Sequence, residues 1–206
     1  MRIVKEPEER KSEILTEAEK LFAAKGYEKT SVNDILLAVN IAKGTFYYHF
    51  KSKEEVLDAL IEMRIKTGVT QAEKIIASPL PPVQKILAII MAQKPQDKTQ
   101  KDFNSVLHEK DNSKMHEKSI VQSVIHLSPY LAKVIKEGIE AGIFFTLYPL
   151  ESVEIVLTSA MILFDDDFFK WSKKEKKIKI KAFLTVIERV FGAKAGSFSE
   201  FTKAFS

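Results

Sequence analysis

A chain of 206 residues that is 45% hydrophobic and 29% charged can build one large domain or two small ones. It has no cysteine, which excludes disulfide frameworks, thiolate metal sites and cysteine nucleophiles, and fits a reducing cytosol. The net charge of +4 divides unevenly, +2 over residues 1–53, +6 over 170–181 and −4 over the rest, so basicity alone names no partner. The N-terminal stretch Met1–Pro7 lacks the apolar core of a signal peptide. The longest apolar run, Ile86–Ala92, is far short of the roughly 20 residues of a membrane span. The sequence therefore reads as cytoplasmic, without a membrane partner.

Helical spacing of apolar residues dominates, and no alternating run marks a strand, so the expected class is all-α. The first helix is expected over Pro7–Lys25. Proline suits its first turn, Glu8 and Glu9 complement its dipole, and Ile14, Leu15, Ala18, Leu21 and Phe22 form its stripe. Gly26 stops it. Thr30 or Ser31 caps a short second helix, with Asp34 completing a capping box. Asn40 takes the left-handed conformation that ends it. A third short helix follows over Ala42–Phe50. Ser52, with Glu55 three residues on, caps a long fourth that reaches Ile76. Prolines at 79, 81, 82, 95, 129 and 149 cut the remainder into expected helices at 82–93, 101–110, 115–127, 129–141, 150–169 and 174–191. Beyond Gly192, the spacing of Phe198, Phe201 and Phe205 allows a short docked helix or a disordered tail.

Two short helices joined at Asn40 read as a helix-turn-helix, whose second helix enters the DNA major groove. Phe46 and Phe50 share one face of that helix and anchor it. Lys43, Gly44, Thr45, Tyr47, Tyr48 and His49 are left on the other, a dense set of groups for phosphates and base edges. Gly44 allows close backbone approach.

The segment Thr30-Ser31-Val32-Asn33-Asp34-Ile35, followed by Lys43-Gly44-Thr45-Phe46-Tyr47-Tyr48-His49-Phe50-Lys51-Ser52-Lys53-Glu54-Glu55, resembles the DNA-binding signature of the TetR family of transcriptional regulators. The resemblance covers about a quarter of the chain, residues 8–57. It implies an all-α homodimeric repressor with a three-helix helix-turn-helix head over 1–51. A larger helical domain over 52–206 would bind a small effector and dimerise. Carried over by position, Lys43, Thr45, Tyr47 and His49 contact operator DNA from the recognition helix. Tyr48 and Lys53 grip phosphates, and Thr30, Ser31 and Asn33 contact DNA from the bracing helix. The chain departs from the family's pattern at three positions. Asn33 stands where arginine is frequent, Asn40 replaces a turn glycine, and Ala42 removes a cap worth about 1 kcal/mol.

The remaining constellations carry less. His108-Glu109 and His116-Glu117 open like zinc-protease helices but do not continue, so no metal or cofactor is expected. The Lys170–Lys181 run reads as a solvated helix face, and Asp165–Asp167 as a helix end. Val153, Val156, Leu157, Ala160, Met161 and Phe164 form one stripe, and Ile180, Phe183, Leu184, Ile187 and Phe191 another. These are the expected homodimer interface. An effector pocket is expected among Ile86, Ile90, Met91, Phe103, Leu107, Ile125 and Phe164, with His108, His126 and Tyr130 as its polar groups. The competing reading is an all-helical enzyme or metal-binding bundle with a motif-like head. No convergent acid/base or metal-ligand set on a shared face supports it.

Overall fold

Local chemistry sets the helix boundaries. The computed structural model describes residues 6–93 and 113–204, and among these there are nine helices and no strand. They are α1 (Pro7–Lys25), α2 (Val32–Val39), α3 (Lys43–His49), α4 (Lys53–Ile76), α5 (Pro82–Ala92), α6 (Ser113–Glu140), α7 (Pro149–Leu163), α8 (Lys173–Val190) and α9 (Phe201–Ala204). No helix among the described residues is long and apolar enough to cross a membrane. The expected helix at 101–110 lies outside the described residues, as do Phe103, Leu107, His108 and Phe205.

The chain forms two compact units, Met1–Arg64 with Pro95–Ser119, and Ile65–Lys94 with Ile120–Ser206. In the first, α1 packs on α2 and α2 on α3. Ile14, Leu15, Ala18 and Phe22 of α1 are buried, as are Ile35 and Val39 of α2. Phe46, Phe50, Val56, Leu57, Leu60 and Ile61 complete the buried set. Each large side chain buried here contributes about 1.5–3 kcal/mol. Arg64 of α4 pairs with Glu19 of α1, and Lys118 of α6 pairs with Asp58 of α4.

The second unit has its own core. Ala72, Ile86, Ile89, Leu127, Leu131, Val134, Ile135, Val153, Ile180, Leu184 and Ile187 are joined there by an aromatic group at the C-terminal end. Phe144 stacks on Phe198 at 6.0 Å, and Phe198 meets Phe201 edge-on at 5.2 Å. The tail after Gly192 is therefore docked, and its last described turn is α9. Gly138 makes room for this group, because a Cβ there would lie 2.1 Å from the Phe144 ring. The buried Lys85 reaches Glu137 through two contacts of 2.8 Å.

Two expected boundaries shift. Pro129 does not divide a helix but lies inside the 28 residues of α6. It deprives the Ile125 carbonyl of its donor, yet both residues are exposed, so solvent can take the donor's place. Leu127, Leu131, Ala132, Val134 and Ile135 meanwhile continue one buried face across the proline. Their burial outweighs the ~3 kcal/mol that an interior proline costs. The second shift is at α7, which stops at Leu163 instead of running to 169. The Trp171 indole donates to the Leu163 carbonyl at 2.9 Å. Asp165 accepts from the Asp167 backbone N–H at 2.8 Å, a local bond that competes with the helix.

The interface stripes expected on α7 and α8 turn inward. Val153, Ile180, Leu184, Ile187 and Phe191 are buried in their own unit's core, with Val156, Leu157, Phe164 and Phe183 packed partly against it. Ala160 and Met161 are half-buried. The most apolar face of each helix has been taken by its own protomer. The faces left outward hold Ile155 at 65% exposure and Val186 at 50%, with Ile178, Thr158 and Ser159.

The set expected around an effector also separates. Ile86 lies in the core, Ile90, Tyr130 and Phe164 pack against it, and Met91 is half-buried. Ile125 and His126 are exposed on α6 and do not join them. The Tyr130 hydroxyl donates to Glu73 at 3.2 Å, and desolvation and then that carboxylate push its pKa up.

Candidate nucleic-acid interface

The turn that precedes α2 is built from the inside. Gly26 ends α1 at φ 86°, where only glycine sits without strain. Tyr27 is buried edge-on against Phe22, with ring centroids 5.1 Å apart. Thr30 was expected on DNA, but its side chain is 1% exposed and donates to the Gly26 carbonyl at 2.8 Å. It closes the turn and cannot reach a phosphate. Ser31 is the true cap. Its hydroxyl accepts from the Asp34 N–H at 3.1 Å, and the Asp34 carboxylate accepts from the Ser31 N–H at 2.7 Å. Lys25 approaches the same carboxylate at 2.8 Å. Hydrogen bonds from Lys25 and Ser31 hold Asp34 well below the usual carboxylate range. Asn33 is exposed on α2.

Asn40 ends α2 at φ 57°, and the Ile41 N–H reaches back to the Leu36 carbonyl at 3.1 Å. This is a Schellman-type stop made with asparagine where glycine is more frequent. Ala42 then starts α3 without a side-chain cap, as its chemistry requires.

The sides of α3 are sharply unlike. Phe46 and Phe50 are buried, with centroids 6.1 Å apart. Tyr47 is 46% exposed and Tyr48 75%. Lys43 and Gly44 are also exposed, while Thr45 and His49 are half-buried. The Lys43 ammonium lies 5.8 Å from the Tyr47 ring centroid, and Tyr48 meets His49 edge-on at 4.9 Å. Burial, then Lys11 and Arg10 with Glu8 opposing, lowers the His49 pKa and favours the neutral imidazole. Lys11 was missed in the sequence. Its amino group lies 6.0 Å from the Phe50 ring centroid and adds a cation beside the recognition helix. No spacing rule puts α1 next to α3, so only the fold reveals it.

Lys53, expected on a phosphate, is turned to the protein. It donates to the Tyr27 carbonyl at 2.7 Å and lies 4.1 Å from that ring's centroid. Burial lowers its pKa, and Glu28 opposes the shift. The Tyr27 phenol is pushed up to about 12, first by burial and then by Glu54, Glu28 and Asp58.

Gly44 has nothing within 4 Å of where a Cβ would stand. Its own protein therefore gives no reason for glycine. Gly44→Ala is expected to leave α3 intact or to stabilise it by about 0.5–1 kcal/mol. Operator affinity is expected to fall by about tenfold or more, the equivalent of 1.4 kcal/mol. Thermal unfolding beside a gel-shift titration checks both, and unchanged affinity removes this face from the interface.

Comparison with known proteins agrees with this geometry. Residues 14–60 match the family described as bacterial regulatory proteins, tetR family. Residues 96–186 match the tetracyclin repressor-like C-terminal domain. An uncharacterised HTH-type transcriptional regulator from the lacX 3' region of Lactococcus lactis subsp. lactis is 48% identical over 27% of this chain and 29% of its own. The HTH-type transcriptional repressor KstR2 of Mycolicibacterium smegmatis is 30% identical over 42% of each chain. These matches span less than half the length of either relative. The crystal structure of RolR in complex with resorcinol shares the fold, with a TM-score of 0.63 at 19% identity over 95% of this chain and 94% of that one. With a helix-turn-helix head whose reading face is free and matches at both ends of the chain, the protein belongs to the TetR family of transcriptional regulators, which act by binding DNA and are not enzymes.

Proposed function

We propose that the protein is a cytoplasmic repressor that binds a palindromic operator as a homodimer and is released by a small, mainly apolar effector. Residues 1–51 would bind DNA, and residues 52–206 would bind the effector and dimerise. The observation that carries the DNA-binding part is the asymmetry of α3, with Phe46 and Phe50 buried and Lys43, Gly44, Tyr47 and Tyr48 outward. Relatives named as repressors support the direction of control. Ile155 on α7 and Ile178 and Val186 on α8 are large apolar groups in water, which favours a second copy over them. For the effector, the support is a fully buried Ser128 hydroxyl with no hydrogen-bond partner among the described residues. An unmet hydroxyl costs about 1–3 kcal/mol, and one polar group on an apolar ligand would satisfy it. The resorcinol carried by RolR is a ligand of that type.

The test is a footprint on DNA upstream of the gene, combined with sedimentation. The native chain is expected to sediment as a dimer at micromolar concentration. It should protect an inverted repeat with half-sites about one or more turns, roughly 10 bp each, apart. Ile155→Glu with Val186→Glu is expected to give a helical monomer that protects neither half-site. A native monomer, or protection of a single half-site, rejects the dimeric reading.

A further inference from the structure

Two basic side chains only two residues apart, Lys51 and Lys53, have opposite surroundings. Lys51 is exposed, and its amino group has no partner among the described residues. Lys53, the first residue of α4, is half-buried against the turn that precedes α2. We propose that Lys53 is a positioning residue that fastens the first turn of α4 to the turn between α1 and α2, and is not a phosphate ligand. The proposal rests on the reading of α3 as the DNA-recognition helix.

Three contacts carry it. The Lys53 ammonium donates to the Tyr27 carbonyl at 2.7 Å and lies 3.4 Å from the Glu28 carbonyl. It also sits 4.1 Å from the Tyr27 ring centroid, inside cation–π range. The group it holds is itself fixed. Tyr27 is buried and braced by Phe22, which is fully buried in α1. At the far end of the same turn, Thr30 bonds the Gly26 carbonyl at 2.8 Å, and the next residue, Ser31, caps α2. Helix α2 in turn packs on α3. One continuous set of contacts thus runs from the start of α4 through the turn to the bracing helix and the recognition helix. To reach a phosphate, Lys53 would have to give up the carbonyl and the ring together. The Tyr27 carbonyl would then be left in a largely buried place without this donor.

Lys53→Met keeps the apolar stem and removes the ammonium. Tyr27→Leu keeps a buried apolar side chain and removes the ring. Each variant and their combination would be titrated with operator and with random-sequence duplex over a range of salt, with folding followed by circular dichroism. Lys53→Met is expected to lower operator affinity by about tenfold. Random-duplex affinity and the slope of log K against log salt should stay unchanged. Tyr27→Leu should do the same, and the double variant should be no worse than Lys53→Met alone, because the two residues act as one joint. If the salt slope instead falls by about 2 per dimer and random-duplex binding weakens in step, Lys53 is a phosphate ligand and the proposal fails. It also fails if Lys53→Met lowers thermal stability without changing operator discrimination, or changes nothing. Should Tyr27→Leu not fold, the discrimination and slope of Lys53→Met decide alone. Loss of all operator binding by the native chain would sink the DNA-binding reading itself, a result distinct from any of these.

Discussion

Tyr47→Ala is expected to remove specific operator binding while leaving a folded dimer. A base-edge contact is worth about 1–3 kcal/mol, and a symmetric dimer loses it twice, so the predicted cost is about 2–6 kcal/mol. That corresponds to a loss of operator affinity of at least about 30-fold. The stability cost should be small, about 1 kcal/mol. Tyr47 is nearly half exposed, and its main intramolecular contact is an edge-on approach to Phe46 at 5.4 Å. Tyr47→Phe keeps that approach and loses only the hydroxyl, so it separates packing from recognition. Gel-shift titrations at fixed salt, paired with thermal unfolding, measure both quantities. Full affinity in folded Tyr47→Ala would remove this residue from the interface.

The largest effect on stability is expected in the other unit. Lys85 has 6% of its side chain exposed and its partner Glu137 has 42%, with 2.8 Å between them. Glu137→Ala leaves a buried ammonium uncompensated. Breaking such a pair from one side costs about 3–5 kcal/mol, and the solvated carboxylate places this one near 3. The melting temperature should fall by roughly 6–12 °C for a chain of this size. Lys85→Met removes the charge and keeps the stem, so it should lie within about 1 kcal/mol of the native protein, and the double variant should resemble it. Equal losses in both single variants would show that the pair itself stabilises the fold. Urea unfolding of the three variants makes the comparison.

The elements that could be read from the sequence were those governed by neighbours a few residues away. Ser31 with Asp34, Ser172 with Glu175, the proline entries of α1 and α5 and the left-handed Asn40 are all local choices, and the helices begin or end there. The exposed side of α3 was legible for the same reason, since Phe46 and Phe50 at four-residue spacing fix which way it turns. Thr30 and Lys53 were misplaced because their partners, Gly26 and Tyr27, belong to a turn whose path no periodicity describes. The stripes of α7 and α8 show a different limit. Periodicity located the apolar faces, but it could not say whether a face meets its own protomer or a second copy. Val153, Ile180 and Leu184 went to the core, leaving Ile155 and Val186 outside. Lys85, alone among apolar neighbours in α5, was a signal that went unused: a lysine in such a run needs a buried partner.

The aromatic group closed by Phe198 and Phe201 also orders events during synthesis. The buried residues of the head are complete in α1–α4 by Ile61, apart from those α6 adds at Met115. The second unit cannot close its aromatic group until Phe201 has been made, about 140 residues later. At roughly 5–20 residues per second, that interval is on the order of 7–28 seconds. For that time a nascent chain carries a nearly finished DNA-reading head with no completed core beneath the helices that would pair with a second copy. Such a head meets DNA only as a single half, without the doubled affinity a symmetric pair supplies. Tight operator occupancy therefore has to wait for the last aromatic residues of the chain to be translated and docked.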